Sequence, residues 1–299
     1  MSIIDFSIVP GETLSIKLLN YIESNADLEK SRHITDPIVL PVVHQRGETC
    51  KLVALENSIA HAAHKAKSYY LPLYKDKTHS RSLRQIAKEF GSIVGEVYSL
   101  EALVRICETA GYKSETFAPL DEEAYISQLE QLVDKNLAPI VFFDVDVNPG
   151  PNIGSPQIAD GKNEHATNIV AYYKDHLNKT HFIVTQWENY FDIDGMELAR
   201  SSFNSLVAKR EIEKFVKVLT PSGSTLWELK EFANEFGEIM EDIAERTSLP
   251  MTDADTPLRG KILVVTGPNL THESHLFFRT YEPRRATETS CDKTLRYEF

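Results

Sequence analysis

The segment "HQRGETCKLVALENSIAHAAH", His44–His64, changes from a polar turn to an amphipathic helix at one of the three cysteines of the chain. After Cys50, apolar residues recur three or four positions apart, which is the spacing of one face of a helix. Cys50 therefore lies at the N-terminus of the predicted helix. Unpaired N–H groups and the helix dipole stabilise a thiolate at such an end. The segment thus predicts a reactive thiol on the first helical turn.

The composition excludes several classes of protein. The chain has 299 residues, three cysteines and a formal net charge of −12, which argues against nucleic acid as a partner. Three cysteines cannot form a disulfide framework, so we expect a reducing compartment. No stretch approaches about 18 uninterrupted apolar residues, and the first residues do not have the pattern of a secretion signal. We therefore expect a cytoplasmic protein without a membrane span.

Along the chain, helical patterns come first and strand patterns follow. Helices are predicted at 14–24, 50–67, 82–91, 99–111 and 121–136. Strands are predicted at 37–43, 138–147, 165–173, 180–187 and 214–220, with a further helix from Gly195. The polar turn "KDHLNK" indicates that 165–173 and 180–187 form an antiparallel hairpin. This order of elements is typical of an α+β fold.

We predict three parts in the chain: a lead-in at 1–36, a main domain at 37–220 and a C-terminal extension at 221–299. The turn-forming "PSGS" marks the second boundary. Within the extension, 225–246 is predicted to be an acidic helix, and "KILVVTG" a strand. Glutamate-rich C-terminal segments also resemble the translocation signals of some intracellular bacterial effectors. In that case the cytosol would be that of a host cell, and the target a host protein.

Hydrolysis by a thiol needs a thiolate, an imidazole that moves the proton, a group that orients the imidazole, and an oxyanion hole. Cys50 can supply the thiolate. Gln45 lies five residues upstream and can fold back across the Gly47 turn, so that its amide joins the Cys50 N–H in the oxyanion hole. His165 begins a strand after a flexible loop, where it can face Cys50. The order of these residues predicts a catalytic site.

The group that orients the imidazole should lie at the end of the neighbouring strand. Gln186 ends "HFIVTQ", and we assign it this role. Glu188, Asn189 and Asp192 follow closely and remain alternatives. Alternatively, Gln186 has no catalytic role and only packs at the end of its strand.

We expect no metal and no cofactor. His61 and His64 lie three positions apart on the predicted helix, but no cysteine or carboxylate cluster completes a metal site. The acidic segment 144–152 lacks the terminal glutamate of a calcium loop, so we predict that it flanks the substrate. Cys107 lies on the apolar side of its helix and is predicted to fill the core.

These residues resemble a known family. "HQRGETCKLVAL" is similar to the Gln-x-Gly-x-x-Cys-Gly-Leu-Val-Ala-Leu segment of the actin maturation protease family and, more loosely, to the bacteriocin-leader-processing (double-glycine) peptidases. "APIVFFDVD" and "KNEHATNIVAYY" resemble bacterial relatives in the same papain-like group. The resemblance covers about residues 37–210 and implies a papain-like fold, thiol-dependent peptide hydrolysis and the pairing of Cys50 with His165. Lys51 replaces the glycine of the family, and it would either obstruct the cleft or favour the thiolate.

The sequence therefore predicts a papain-like cysteine peptidase that acts on a protein or peptide through a thioacyl-enzyme intermediate. A glutamine deamidase or transglutaminase would use the same residues, with a glutamine side chain as the acyl donor. The remaining alternative is a catalytically inactive papain-like binding module. This last hypothesis predicts a Cys50 thiol that titrates like an ordinary cysteine, near a pKa of about 8.5.

Overall fold

The computed structural model of the chain describes residues 2–4, 14–36, 39, 49–66, 73–76, 79–81, 83–90, 92, 95–97, 99–148, 150–159, 163–187, 189–204, 214–219, 221, 223, 225–229, 234, 237–244 and 258–269. The strand predicted at 37–43 lies outside these residues except for Val39, and Gln45 also lies outside them.

The described residues form helices and strands that alternate through most of the chain. The helices are α1 Leu14–Asn25, α2 Cys50–Lys65, α3 Leu83–Glu89, α4 Leu100–Thr109, α5 Glu122–Asp134 and α6 Gly195–Asn204. The strands are β1 Ser2–Ile4, β2 Arg32–Ile34, β3 Leu73–Asp76, β4 His79–Arg81, β5 Tyr112–Phe117, β6 Ile140–Val145, β7 Pro156–Gln157, β8 Glu164–Lys174, β9 Thr180–Gln186, β10 Asn189–Asp194, β11 Lys214–Leu219, β12 Thr225–Leu229, β13 Glu238–Ala244 and β14 Ile262–Pro268.

Most of the strands belong to one antiparallel sheet. Its order is β1-β10-β9-β8-β6-β14-β5, with β2 also pairing with β8 and β7 with β6. A smaller sheet has the order β12-β11-β13, and β3 pairs with β4. Because strands at the centre of the main sheet are covered on both faces, β6 and the middle of β8 are buried throughout.

Helices cover both faces of the main sheet. Ile140 and Phe142 of β6 pack in one core with α2, α3 and α4. The alternating residues Val141 and Phe143 pack in a second core with α5 and α6. This alternation follows from the period of two along a strand. A third core joins α1 to β8, β9 and β10.

Buried polar contacts fix α2 on the sheet. The Nδ2 atom of Asn168 on β8 donates to the Ala54 carbonyl oxygen and to Ser58 Oγ, both at 3.0 Å. Ser58 Oγ in turn donates to the carbonyl oxygen of Ala138, at 2.6 Å. These bonds are shielded from water, so they hold the helix in one register against β8.

The α+β fold class is confirmed, because helices pack on an antiparallel sheet. The helix predictions near α1 to α6 and the β8–β9 hairpin are confirmed as well. Ser99 caps α4, since its side chain accepts a hydrogen bond from the Ala102 N–H. Within the described residues, no helix combines the length and the apolar character needed to cross a membrane.

The helix predicted at 225–246 is wrong. The described residues of this segment include two strands, β12 and β13, which pair with opposite edges of β11. Helix propensity is worth only tenths of a kcal/mol per residue, and a row of backbone hydrogen bonds to a neighbouring strand outweighs it.

Candidate active site

Cys50 is the first residue of α2, and Thr49 is the N-cap residue. The cysteine is buried, with 3% of its surface exposed, and it remains a thiol. The first N–H groups of a helix have no partner within the helix and carry partial positive charge. Cys50 therefore lies at the end of a helix where the backbone favours a negative charge.

His165 is the second residue of β8 and lies opposite Phe143 of β6. Its ring meets the Phe143 ring edge-on, with the two centroids 6.0 Å apart. Burial, and then the positive charge of Lys51, lower the pKa of His165 from 6.5 to about 3. The imidazole is therefore neutral at physiological pH, and its burial disfavours protonation.

Gln186 is the last residue of β9, and Trp187 begins the two-residue turn into β10. Trp187 has a φ of 46°, a left-handed conformation that is unusual for a bulky residue. Two-residue hairpin turns of types I′ and II′ both need a positive φ at their first central residue, which accounts for the conformation of Trp187. The turn brings the Trp187 ring to 5.2 Å from the ring of His165, measured between centroids.

The amide of Gln186 is held by the loop between β6 and β7. Its Nε2 donates to the Gly154 carbonyl oxygen at 2.8 Å. Gly154 has a φ of 88°, and a Cβ at this position would lie 2.6 Å from Gln186 Nε2 and 2.8 Å from a ring carbon of Phe191. Only glycine allows the loop to come so close to the amide. Because Nε2 is engaged by the loop, Oε1 is the end of the amide that can orient a donor.

A cavity of about 20 Å³ lies where the start of α2 meets the ends of β8 and β9. Cys50, His165 and Gln186 all line it. The other lining residues are Val53, Ala54, Asn57, Ala166, Thr167, Asn168, Thr185 and Trp187. The volume is about that needed by one water molecule. Of the four residues assigned to the site from the sequence, the cavity brings together these three, and Gln45 lies outside the described residues.

Four buried polar atoms of residues around this cavity have no hydrogen-bond partner among the described residues. They are His165 Nε2, Asn168 Oδ1, Thr185 Oγ1 and Gln186 Oε1. Each buried polar atom without a partner lowers the stability of the folded protein by about 1–3 kcal/mol. Several such atoms in one place are therefore typical of a functional site rather than of an ordinary core. An imidazole N–H and an amide oxygen are a natural donor and acceptor pair. Hydrogen bonds between catalytic groups are often long until a substrate binds.

The alternatives to Gln186 are engaged elsewhere or lie outside the described residues. The Asp192 carboxylate accepts hydrogen bonds from Tyr21 (2.7 Å) and Tyr173 (2.6 Å) and contacts His181 Nδ1 (2.9 Å). Asn189 is exposed, and its Nδ2 donates to the Trp187 carbonyl oxygen. Glu188 is not among the described residues.

Lys51 follows Cys50 but does not belong to the described lining of the cavity. Its side chain is fully buried and pairs with the carboxylates of Glu96 and Glu164. The distance from Lys51 Nζ to Glu164 Oε1 is 2.9 Å. Lys51 therefore does not obstruct this cavity, although the sequence allowed that possibility.

Some residues of the site were present in the sequence patterns without being recognised. Glu164 directly precedes His165, and Trp187 directly follows Gln186, so adjacency to a candidate was the available signal.

Cys107 is fully buried, and burial raises the pKa of its thiol to about 12, which confirms it as a core residue. His61 Nε2 lies 3.1 Å from the Asn136 carbonyl oxygen.

Comparisons with known proteins give loose likenesses. No protein-family description matches the chain, and no curated protein is significantly similar to it. Among solved structures, digestive procathepsin L 3 of the Tenebrio molitor larval midgut is 11% identical, with a TM-score of 0.41 over 56% of this chain and 67% of that one. The SERA5 proenzyme from Plasmodium falciparum is 14% identical, with a TM-score of 0.33 over 53% and 57%.

The proform of Amb a 11, a cysteine protease and major ragweed pollen allergen, is 12% identical. Its TM-score is 0.32, over 57% of this chain and 61% of that one. The alignments with SERA5 and Amb a 11 thus span less than two thirds of those proteins. Because all three TM-scores are low, the function has to be argued from the site itself.

Proposed function

We propose that this protein is a papain-like cysteine peptidase that hydrolyses an amide bond of a protein or peptide. The observation that carries the proposal is the shared cavity of a helix N-terminal thiol, a strand-borne imidazole and a strand-end amide, Cys50, His165 and Gln186. These are three of the groups that thiol-dependent hydrolysis needs, and they come from three separate elements.

In the first half of the reaction, His165 accepts the proton of Cys50 and the thiolate attacks the carbonyl carbon of the substrate. Proton transfer produces a thiolate beside an imidazolium, and their attraction offsets the burial that favours neutral imidazole. The imidazolium then protonates the leaving amine, and a thioacyl-enzyme remains. In the second half, His165 takes a proton from water, whose oxygen attacks the thioester carbonyl carbon. The C–S bond then breaks, the carboxylic acid leaves, and the imidazolium returns its proton to the Cys50 thiolate.

Two amides assist this chemistry in the proposal. His165 Nε2 and Gln186 Oε1 both lack a partner among the described residues, and in the proposal they form a hydrogen bond when substrate binds, which keeps the other ring nitrogen available to the thiol. Gln45 donates to the oxyanion together with the Cys50 N–H, and each such donor contributes about 3 kcal/mol to transition-state stabilisation. Neither role requires a metal or a cofactor.

A papain-like binding module without catalysis is the second candidate. The burial of Cys50 and the cavity of about 20 Å³ favour it, because a peptide carbonyl needs more room than one water molecule occupies. In this case Cys50 would be an ordinary thiol in a binding surface, and its reactivity would not depend on His165.

The deciding experiment measures alkylation of Cys50 by iodoacetamide across pH 5–9, with the site located by mass spectrometry, in the wild type and in His165→Ala. Free cysteine supplies the rate of an ordinary thiol, and Cys107, which is fully buried, reports any unfolding of the protein during the assay. A peptidase site predicts that Cys50 reacts faster than an ordinary thiol at pH 6, and that His165→Ala removes the excess. A single titration near pH 8.5 that is the same in both proteins would refute catalysis and leave the binding module.

If the Cys50 thiol proves reactive, the next experiment is a search for substrates. Quenched fluorescent peptide libraries report hydrolysis, and release of ammonia from glutamine peptides reports attack on a side-chain amide. Cys50→Ser serves as the inactive control in both assays, because it removes the thiolate and retains a similar volume.

A further inference from the structure

Lys51 and Glu164 are the immediate neighbours of the two groups that move the proton. Lys51 follows Cys50 on α2, and Glu164 precedes His165 on β8. The lysine side chain is 0% exposed and the Glu164 side chain 6% exposed, with Nζ and Oε1 2.9 Å apart. A buried charge pair therefore joins the first turn of α2 to the first residue of β8.

A second carboxylate completes the environment of Lys51. Glu96 is 1% exposed and contacts Lys51 Nζ from the segment between α3 and α4. That segment approaches the start of α2 closely, because a Cβ on Gly95 would lie 2.8 Å from Thr49 Cγ2. One ammonium thus pairs with two carboxylates that come from two different segments of the chain.

We propose that Lys51 is a positioning residue, whose ion pair with Glu164 sets the placement of Cys50 relative to His165. This inference rests on the proposed function. Displacement of a reacting group by 1 Å can reduce a rate by about 100-fold, so a fixed link beside both groups is chemically useful. Glu96 also pairs with Lys51, but Glu96 does not belong to β8, so this second pair does not link the lysine to the strand of His165.

The two carboxylates supply a matched pair of variants. Glu164→Gln removes the charge that links Lys51 to β8, and Glu96→Gln removes the charge of the second carboxylate. Each variant leaves Lys51 paired with one carboxylate, so neither leaves a buried ammonium without a counter-charge. If the Lys51 cluster contributes to stability alone, the two substitutions should have similar effects on the reactivity of Cys50.

The readout is the coupling of Cys50 to His165, defined as the rate of Cys50 alkylation at pH 6 divided by the same rate after His165→Ala. It is measured in the wild type, in Glu164→Gln and in Glu96→Gln, and thermal unfolding is recorded for each protein. We expect Glu164→Gln to lower the coupling by about tenfold or more, and Glu96→Gln to change it by less than about twofold.

Equal coupling in all three proteins would overturn the positioning role while leaving the proposed function intact. Equal losses in both variants would assign the cluster to stability and would also overturn it. If the wild type itself shows no coupling, the proposed function fails, and the inference fails with it. Should Glu164→Gln not fold, Glu164→Asp tests the same link, since it keeps the charge and shortens the side chain; unchanged coupling in Glu164→Asp would count against the role.

Discussion

At the scale of single residues, His165 makes the stability of the protein depend on pH. Burial, aided by the charge of Lys51, lowers the pKa of His165 to about 3, whereas an unfolded histidine titrates near 6.5. Between these values the unfolded chain binds a proton that the folded protein excludes. Stability should therefore be fully present above about pH 6.5 and decline as the pH falls towards 3.

The substitution His165→Asn should reduce this decline. It removes the titrating group, so the slope of unfolding free energy against pH should become shallower by up to one proton between pH 6 and 4. Urea unfolding at several pH values measures the slopes. His176→Asn is the control, because it makes the same substitution at an exposed histidine on the β8–β9 turn. Equal slopes for the wild type and His165→Asn would contradict the burial of a neutral imidazole.

The order of Cys50, His165 and Gln186 is predictable from the sequence because each lies at the end of an element, and element ends have local signals. The partners of Lys51 are not predictable in the same way. Glu96 is 45 positions away in the sequence, and only the folded sheet brings Glu164 to the lysine. A sequence pattern records that a lysine departs from a family motif but not which carboxylates surround it.

At the scale of elements, the β6–β7 loop and the β9–β10 turn together determine where the Gln186 amide lies. Gly154 in the loop accepts from Gln186 through its carbonyl oxygen, and Trp187 in the turn packs on His165. The sequence predicted that residues 144–152, which include the first part of this loop, flank the substrate. Its contact with Gln186 gives it a structural role at the same end of the sheet.

Gly154→Ala should displace the Gln186 amide. The added Cβ would lie 2.6 Å from Nε2, so the loop or the amide must move. We expect a loss of about 1–3 kcal/mol in the free energy of unfolding from this contact, beyond the cost of a positive φ. The coupling of Cys50 to His165 in the alkylation assay should fall as well, because Gln186 would no longer orient the imidazole.

Gly223→Ala is the matched control for this substitution. Gly223 has a φ of 79°, close to the 88° of Gly154, but no atom of the described part of the chain would lie within 4 Å of a Cβ there. It therefore carries the same backbone cost, about 1–2 kcal/mol, without the steric contact. Equal losses in the two variants, with coupling unaffected, would show that the loop does not hold the amide.

Secondary structure was predictable where local pattern and tertiary contacts agree. Ser99 before α4 and Asp121 before α5 both cap their helices through side-chain oxygens. The segment 225–246 fails this condition: its glutamates and leucines favour a helix, yet β12 and β13 pair with β11. The competing hydrogen bonds come from another segment, so the local pattern could not indicate them.

At the scale of the whole molecule, the main sheet is assembled from distant parts of the chain. At one end β1 pairs with β10, and near the other β14 lies between β6 and β5. Sequence patterns mark β6, β8, β9 and β14 but contain little information on their partners, because pairing over long separations depends on the whole fold. A division of the chain at residue 220, which the turn "PSGS" suggests, would separate β14 from both of its neighbours.

Truncation after residue 220 should therefore prevent cooperative folding. Ile262, Leu263, Val264 and Val265 of β14 are all buried, and they contribute to the cores on both faces of the sheet. Burial of each such side chain is worth about 1.5–3 kcal/mol, so loss of the strand removes about 6–12 kcal/mol. This is comparable with the whole stability of a typical domain, about 5–15 kcal/mol.

A fragment of residues 1–269 is the matched control, because it keeps β14 and removes only the residues that follow. We expect it to unfold cooperatively in urea, while the 1–220 fragment shows no cooperative transition and aggregates. Since α2 packs in the same core as Leu263 and Val265, Cys50 in the shorter fragment should also lose its dependence on His165. Cooperative unfolding of the 1–220 fragment with unchanged Cys50 reactivity would instead establish 221–299 as a separable extension, and β14 as dispensable for the site.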